Sequence, residues 1–197
     1  MEDIDKLVKL KDSWTFQIKL NNVDFSKDQK KDSWMNGYKN ILTDIDDVPK
    51  FWGLWNNVLG NIQDKNKTIP YTIHAFFKNK IEPAWEDKSN VGGCSMHFYI
   101  SNTISNKKSG ILGDNDKNVN LFAESVALLC ISNIIDGING STFDVKPPRG
   151  RFGSKWKISI WLDNRRKETI DSVKKYLLSE TNLEEKLINE CRIDNHS

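Results

Sequence analysis

Two short segments in which apolar and polar residues alternate constrain the fold of this chain more than any other feature. In residues 14–20 and 94–100 every second residue is apolar, which places the apolar side chains on one face of an extended strand. Both segments predict half-buried strands, with Thr15, Gln17 and Lys19 on the outer face of the first. The apolar faces are Trp14, Phe16, Ile18 and Leu20 in the first segment, and Cys94, Met96, Phe98 and Ile100 in the second.

The remaining pattern mixes further strands with helices. Acidic residues followed by Pro49 are typical of a helix start. Such a mixture predicts an α+β fold, and 197 residues suffice for one domain with a real core. Strands are predicted over 71–78, 141–146 and 156–162; helices from Asp46 onward, over 119–135, over 166–178 and over 182–193; and a polar loop over 102–118.

Charge and cysteine content exclude several classes of protein. The 29 basic residues nearly balance 27 acidic ones, so bulk charge alone does not predict nucleic-acid binding. Cys94, Cys130 and Cys191 show no paired spacing, which indicates free thiols in a reducing compartment and no metal site. The acidic N-terminus and the lack of a long apolar run predict neither a secretory signal nor a membrane span, and we expect a cytoplasmic protein.

The sequence does not favour an enzyme. Its three histidines, His74, His97 and His196, lie in no recognisable motif, and no Walker loop, GxSxG, HExxH or CxxC occurs. No spacing pairs two carboxylates for acid–base chemistry. We therefore expect no catalytic residues and no cofactor, and turn to binding.

The most informative segment for binding is 81–87, IEPAWED, which precedes Gly92 and Gly93. Trp85 offers a flat aromatic face, and Glu86 offers two acceptor oxygens beside it. The pair matches a planar base with two adjacent N–H donors, which is guanine. The alternative is that Trp85 fills the core and Glu86 is a solvated loop carboxylate.

Two further features support a nucleotide ligand. The segment 144–157 contains five basic residues against the single carboxylate of Asp144, and such a loop can surround several phosphates. Trp34 lies in a polar segment with no apolar periodicity, so it is a second candidate stacking platform. The alternatives are a solvated hairpin tip and a Trp that folds back onto the core. The basic residues are Lys146, Arg149, Arg151, Lys155 and Lys157, and Trp161 shares a strand face with the last of them.

Taken together, these segments resemble the eukaryotic translation initiation factor 4E family, from about Leu10 to Leu178. The resemblance implies a strongly curved antiparallel sheet, backed by about three helices on its convex side, with a ligand slot on its concave side. It also implies one cap-binding domain over 1–197, with an N-terminal extension (1–9) and a helical C-terminal tail (179–197). The segments that carry it are 51–56 (FWGLWN), 77–87 (FKNKIEPAWED), Gly92-Gly93, 128–130 (LLC) and 157–161 (KISIW).

The resemblance further implies the ligand and the roles of individual residues. The ligand would be the 7-methylguanosine cap of mRNA, recruited for translation. Trp34 and Trp85 would sandwich the base, Glu86 would bond its Watson–Crick edge, Trp161 would lie near the added methyl group, and the basic loop would hold the triphosphate. Three alternatives are a cap-binding repressor, a single-stranded RNA-binding module without cap specificity, and an enzyme that acts on the cap.

The resemblance also implies a partner site on the convex side of a monomer. Val48, Trp52 and Leu129 match apolar anchors for a helix of a scaffold factor 4G-like protein or a 4E-binding regulator. The sequence departs from the family at Cys94-Ser95, where Arg-Trp is usual. A basic residue near the phosphates and a packing Trp are therefore missing there.

Overall fold

The computed structural model describes residues 9–20, 38–58, 72–101, 112–146, 155–181, 183 and 185–197. A seven-stranded curved antiparallel sheet has the strand order β2-β1-β3-β5-β6-β4-β7. This is the α+β fold that the sequence predicts. The strands are β1 (Lys9–Leu20), β2 (Tyr38–Asp47), β3 (Thr72–Lys78), β4 (Cys94–Ser101), β5 (Ile138–Lys146), β6 (Lys155–Leu162) and β7 (Arg192–Asn195); the helices are α1 (Val48–Asn57), α2 (Leu112–Ser132), α3 (Lys167–Glu180) and α4 (Glu185–Asn189).

The core lies between one face of the sheet and the helices. Strand residues that alternate along β1 and β4 pack there against α1, α2 and α3, as the two alternating segments predict. Trp14 and Trp55 are buried in this core, and so is Trp156. The largest fully buried side chains are Trp14, Phe16, Phe51, Phe76, Phe77, Phe98, Phe122 and Phe143.

Helix α1 begins where the sequence predicts. The carboxylate of Asp47 accepts a hydrogen bond from the backbone N–H of Lys50 at 2.8 Å, and Pro49 lies in the first turn. The apolar face of this helix then buries Phe51, Leu54 and Trp55. Among the helices that the structure describes, none has the length and apolarity needed to cross a bilayer.

The sequence does not predict strands β2 and β7, which form the two edges of the sheet. In β2 every residue from Lys39 to Asp44 is exposed, so no apolar alternation marks it. Among its described residues, the tail predicted as helical is helical at the end of α3, which extends to Glu180, and over the five residues of α4. It ends in β7, whose pairing with β4 supplies the backbone hydrogen bonds that a helix would have made.

The bounds of α2 also differ from the prediction. The part of the predicted 102–118 loop that the structure describes, from Leu112 on, is helical, because a polar helical turn shows no apolar periodicity. The helix ends at Ser132 instead of 135, since Asn133 adopts a left-handed conformation with φ of 52°.

The outer face of β1 is not solvated. Thr15, Gln17 and Lys19 are all at most 8% exposed, because they lie on the concave side of the curved sheet. Lys19 places its ammonium group 5.2 Å from the centre of the Tyr38 ring, and burial lowers its pKa. The face opposite the core is therefore a sheltered polar surface.

Candidate functional site

The concave face of β6 carries Lys157, Ser159 and Trp161, while Ile158, Ile160 and Leu162 point to the core. Neighbouring β4 places Tyr99, His97 and Ser95 directly opposite those three residues. On the far side of β4, β7 adds Asp194 opposite Ser95. Three strands thus build one floor of polar and aromatic side chains.

An open cavity of about 580 Å³ lies over this floor. Its volume is within the usual range for small-molecule sites, about 300–1,000 Å³. Trp85 lies at its edge on the connection between β3 and β4, and Lys157 supplies a cation. The cavity is lined by Trp85, Ser95, His97, Lys157, Trp161, Ile193, Asp194, Asn195, His196 and Ser197.

Trp85 does not fill the core. Its side chain is 45% exposed, and Glu86 beside it is also exposed. The alternative interpretation that Trp85 fills the core is therefore wrong, whereas a solvated loop carboxylate at Glu86 agrees with the exposure of that residue. Exposure of so large an aromatic side chain at a cavity is typical of a stacking platform.

Trp161 lies deeper, at 8% exposure, and contacts two aromatic rings. Its ring centre is 5.6 Å from that of Phe77 and 4.8 Å from that of His196. The indole N–H is buried without a hydrogen-bond partner among the described residues. Buried donors usually have a hydrogen-bond partner, so this N–H group could donate to an acceptor atom of a ligand.

Asn90 fixes the connection that carries Trp85. This side chain is fully buried, and its amide donates to the carbonyl oxygens of Glu82 at 2.9 Å and of Ala84 at 2.8 Å. Its own side-chain oxygen accepts from the Asn139 amide at 3.0 Å. The backbone just before Trp85 is therefore pinned from inside the protein.

The end of the same connection requires glycine. Gly92 has φ of 81°, a conformation that other residues rarely adopt. A Cβ atom on Gly93 would collide with the carbonyl oxygen of Leu162. This close approach brings the connection against β6 and so brings Trp85 to the cavity that Trp161 lines.

His97 and His196 join the floor to this connection. His97 contacts Ser159 Oγ at 2.8 Å and Ser95 Oγ at 3.1 Å, and His196 contacts Ser95 Oγ at 3.2 Å and the Asn90 carbonyl at 3.0 Å. Burial is the main reason that the pKa of His97 falls to about 4 and that the pKa of His196 is also lowered. Both rings are therefore neutral at neutral pH.

Several predicted site residues cannot be placed. Trp34, Arg149 and Arg151 lie outside the described residues. Lys146 and Lys155 are cross-strand partners in β5 and β6, and their side chains lie outside the described part. Of the basic residues predicted to hold phosphate, the structure places only the Lys157 side chain, and it lines the cavity.

One predicted partner residue is wrong. Leu129 is completely buried in the core, so it cannot contact another protein. Its neighbour Leu128 is half-buried at the core's edge, because the helix turns about 100° per residue. Val48 and Trp52, the other two predicted anchors, are half-buried and remain accessible on α1.

The sequence missed the contribution of β7 and His97 to the site. Asp194, Asn195 and His196 line the cavity, although nothing in their local sequence marks a binding residue. Within the described residues, no three His, Cys, Asp or Glu side chains are grouped to hold a metal ion.

Comparison with known proteins gives consistent matches. A family model described as eukaryotic initiation factor 4E matches residues 9–191. The chain is 39% identical over 69 residues to eukaryotic translation initiation factor 4E-1B of Danio rerio, and 33% identical over 69 residues to factor 4E of Homo sapiens. Each alignment covers 35% of this chain and only 30% of the relative, so the match spans less than a third of the relatives' length.

Solved structures match over nearly the whole chain. Ascaris suum eIF4E-3 in complex with m7G cap superposes with a TM-score of 0.69, at 18% identity, covering 96% of this chain and 92% of the other. Schistosome eIF4E complexed with m7GpppG and 4E-BP gives 0.62 at 22% identity, covering 90% and 84%. At these identities the likeness shows a shared fold.

Proposed function

The chain belongs to the eukaryotic initiation factor 4E family, and we propose that it binds the 7-methylguanosine cap of mRNA in the concave cavity. The observation that carries this proposal is Trp85, exposed at the edge of a cavity that Trp161 and Lys157 also line. The family consists of initiation factors and not of enzymes. We further propose that this binding recruits capped mRNA for translation in the cytoplasm.

The chemistry of the cap fits these residues. Methylation at N7 makes guanine a cation, and a cation over a Trp face gains about 2 kcal/mol or more when desolvated. Trp85 would stack on one side of the base and Trp34 on the other, with Trp161 near the methyl group. Glu86 would accept from the two N–H groups of the Watson–Crick edge in charge-assisted hydrogen bonds.

The phosphates would extend from the base toward β6. Lys157 lines the cavity on that side. Lys146 and Lys155 lie opposite each other in the backbone pairing at the adjoining ends of β5 and β6. We propose that these lysines, together with Arg149 and Arg151, bind the triphosphate. Arg side chains add bidentate contacts to phosphate oxygens.

A chromatography experiment tests the function directly. The protein should bind to immobilised 7-methyl-GTP and should elute with free 7-methyl-GTP but not with the same concentration of GTP. Elution by an uncapped RNA oligonucleotide at equal nucleotide concentration would instead indicate a single-stranded RNA-binding module.

Replacing Glu86 with Gln should weaken binding of 7-methyl-GTP by about thirtyfold, which is about 2 kcal/mol for hydrogen bonds to a charged group. Gln keeps one acceptor oxygen but loses the charge and the second acceptor. Binding is measured by fluorescence titration. The matched control is Glu82→Gln, which removes an exposed carboxylate from the same connection and should leave the affinity unchanged. If both variants bind like the wild type, Glu86 does not read the base.

We also propose that the convex side binds a helix of a 4G-like scaffold protein or a 4E-binding regulator. Val48 and Trp52 lie four residues apart on α1, so their side chains share one face of the helix. Both side chains are half-buried, so part of each is exposed on that face. Trp52 packs edge-on against Phe51, with ring centres 5.3 Å apart, which holds its indole in place. Exposed apolar anchors at helical spacing are typical of sites for partner helices.

Replacing Trp52 with Ala should weaken binding of a 4E-binding peptide at least about thirtyfold, since truncated interface Trp residues often cost about 2 kcal/mol or more. Cap affinity should not change, because Trp52 lies on the opposite side of the sheet from Trp85. Peptide binding is measured by calorimetry. Leu178→Ala removes an exposed apolar side chain from α3 and serves as the control. Loss of cap binding as well would show that Trp52 is structural.

A further inference from the structure

Asp194 is the carboxylate that the concave cavity exposes to a ligand beside Lys157 and Trp161. It lies on β7 opposite Ser95, and its side chain is 40% exposed. Ser95, His97 and His196, which line the same cavity, are at most 5% exposed and bond to one another. Among these four polar side chains, Asp194 is the one that a ligand can reach most easily.

The Asp194 carboxylate is held at both oxygens. Arg192 Nε donates to Oδ1 at 2.7 Å, and His97 Nε2 lies 3.2 Å from Oδ2. The hydrogen bond from Arg192 is the main cause that lowers the pKa of Asp194, so the group is ionised at neutral pH. Each carboxylate oxygen has two lone pairs, so both can accept a further hydrogen bond.

A chain of hydrogen bonds that runs through His97 holds the Asp194 side chain in its orientation. With both imidazoles neutral, one assignment of protons accounts for the contacts, provided that the single Nε2–H of His97 is shared between Asp194 and Ser95 Oγ. Ser159 donates to His97 Nδ1, His97 Nε2 donates to Asp194, Ser95 donates to His196 Nε2, and His196 Nδ1 donates to the Asn90 carbonyl. This chain uses Ser95, where the family usually has Trp, and it ends on two acceptors, the Asp194 carboxylate and the Asn90 carbonyl.

The connectivity of a nucleotide then limits what can face Asp194. The ribose joins the base to the phosphates, so it must cross the cavity between Trp85 and Lys157. An ionised carboxylate repels phosphate but accepts hydrogen bonds from hydroxyl groups. An acidic side chain that binds ribose hydroxyls is also a recurring solution in nucleotide sites.

We propose that Asp194 accepts hydrogen bonds from the 2′- and 3′-hydroxyl groups of the cap ribose, and so adds sugar recognition to base recognition. This inference rests on the proposed cap-binding function. It makes β7 part of the ligand site and predicts that the protein distinguishes caps by their sugar as well as by their base.

The test pairs two ligands with variants of Asp194. The ligands are 7-methyl-GTP and its 2′,3′-dideoxy analogue, and their affinities are measured by fluorescence titration. The wild type should bind the dideoxy analogue about tenfold more weakly, as expected for hydrogen bonds to a charged acceptor. Asp194→Ala should bind both ligands equally, with the affinity that the wild type has for the dideoxy analogue.

A second variant and a control keep the test decisive. Asp194→Asn preserves the shape and one acceptor, so its preference for the hydroxyl groups should fall between those of the wild type and Asp194→Ala. Asp171→Ala, an exposed carboxylate on α3, should behave like the wild type. An equal ratio of affinities in the wild type and both Asp194 variants would overturn the inference. Failure of the wild type to bind 7-methyl-GTP at all would instead refute the proposed function.

Discussion

Replacing Trp85 with Ala should lower the affinity for 7-methyl-GTP by at least about a hundredfold. Stacking on an aromatic side chain contributes about 1–3 kcal/mol per base, and a desolvated cation on a Trp face adds about 2 kcal/mol. Trp85 is 45% exposed and lies at the edge of the cavity, so its ring is available to a ligand. The change removes that face and leaves the pinned backbone of the connection in place.

Because Trp85 is exposed, its replacement should change ligand affinity with little effect on the stability of the fold. Removing a half-exposed side chain from a surface connection should change the melting temperature by no more than about 2–4 °C. Trp85→Phe keeps a smaller aromatic face, so it should recover part of the lost affinity. A loss of less than about threefold in Trp85→Ala, with the fold intact, would show that this residue does not stack on the base.

Replacing Asn90 with Ala should lower the free energy of unfolding by about 3 kcal/mol. The variant removes the Asn90 donor from the carbonyl oxygens of Glu82 and Ala84, which keep only their bonds from the backbone N–H groups of Ala84 and Asp87. Each lost hydrogen bond costs about 0.5–1.5 kcal/mol, and truncating a fully buried side chain leaves a small cavity as well. It also leaves the Asn139 amide without its acceptor on Asn90. Urea denaturation measures the change.

Asn57→Ala is the matched control for this prediction. The Asn57 amide also donates to a backbone carbonyl, that of Gly53 at 2.7 Å, but on the exposed surface of α1. Its loss should cost less than about 1 kcal/mol, because water replaces the bond. Equal effects of the two substitutions would mean that Asn90 does not hold the connection. Asn90→Asp should be at least as damaging as Asn90→Ala, since a carboxylate would face two carbonyl oxygens.

The strands that face the core could be predicted from the sequence, and the edge strands could not. β1 and β4 alternate because one face of each packs on helices, and that burial shows in every second residue. β2 and β7 are defined by backbone pairing with a single neighbour, which leaves no pattern in the side chains. Likewise, the buried Gln17 and Lys19 look like a solvent-facing set, because a concave polar face has the composition of an exposed one.

The residues of the site also differ in whether the sequence could predict them. Trp85 and Glu86 could be found because they lie together in one short segment between Pro83 and Gly92. Asp194 and His97 could not, since β-sheet pairing brings them together from positions far apart in the chain. Leu129 was placed wrongly because residues 128–131 are all apolar, so the sequence does not show which of them faces outward.

The most direct test of the central claim is the ratio of affinities for 7-methyl-GTP and GTP. The two ligands differ only in the methyl group and the positive charge that it creates, and Trp85 and Glu86 are the residues proposed to sense that charge. We expect 7-methyl-GTP to bind about thirtyfold or more tightly, corresponding to about 2 kcal/mol from stacking on a cationic base. Fluorescence titration measures both constants. Equal affinities would contradict the account.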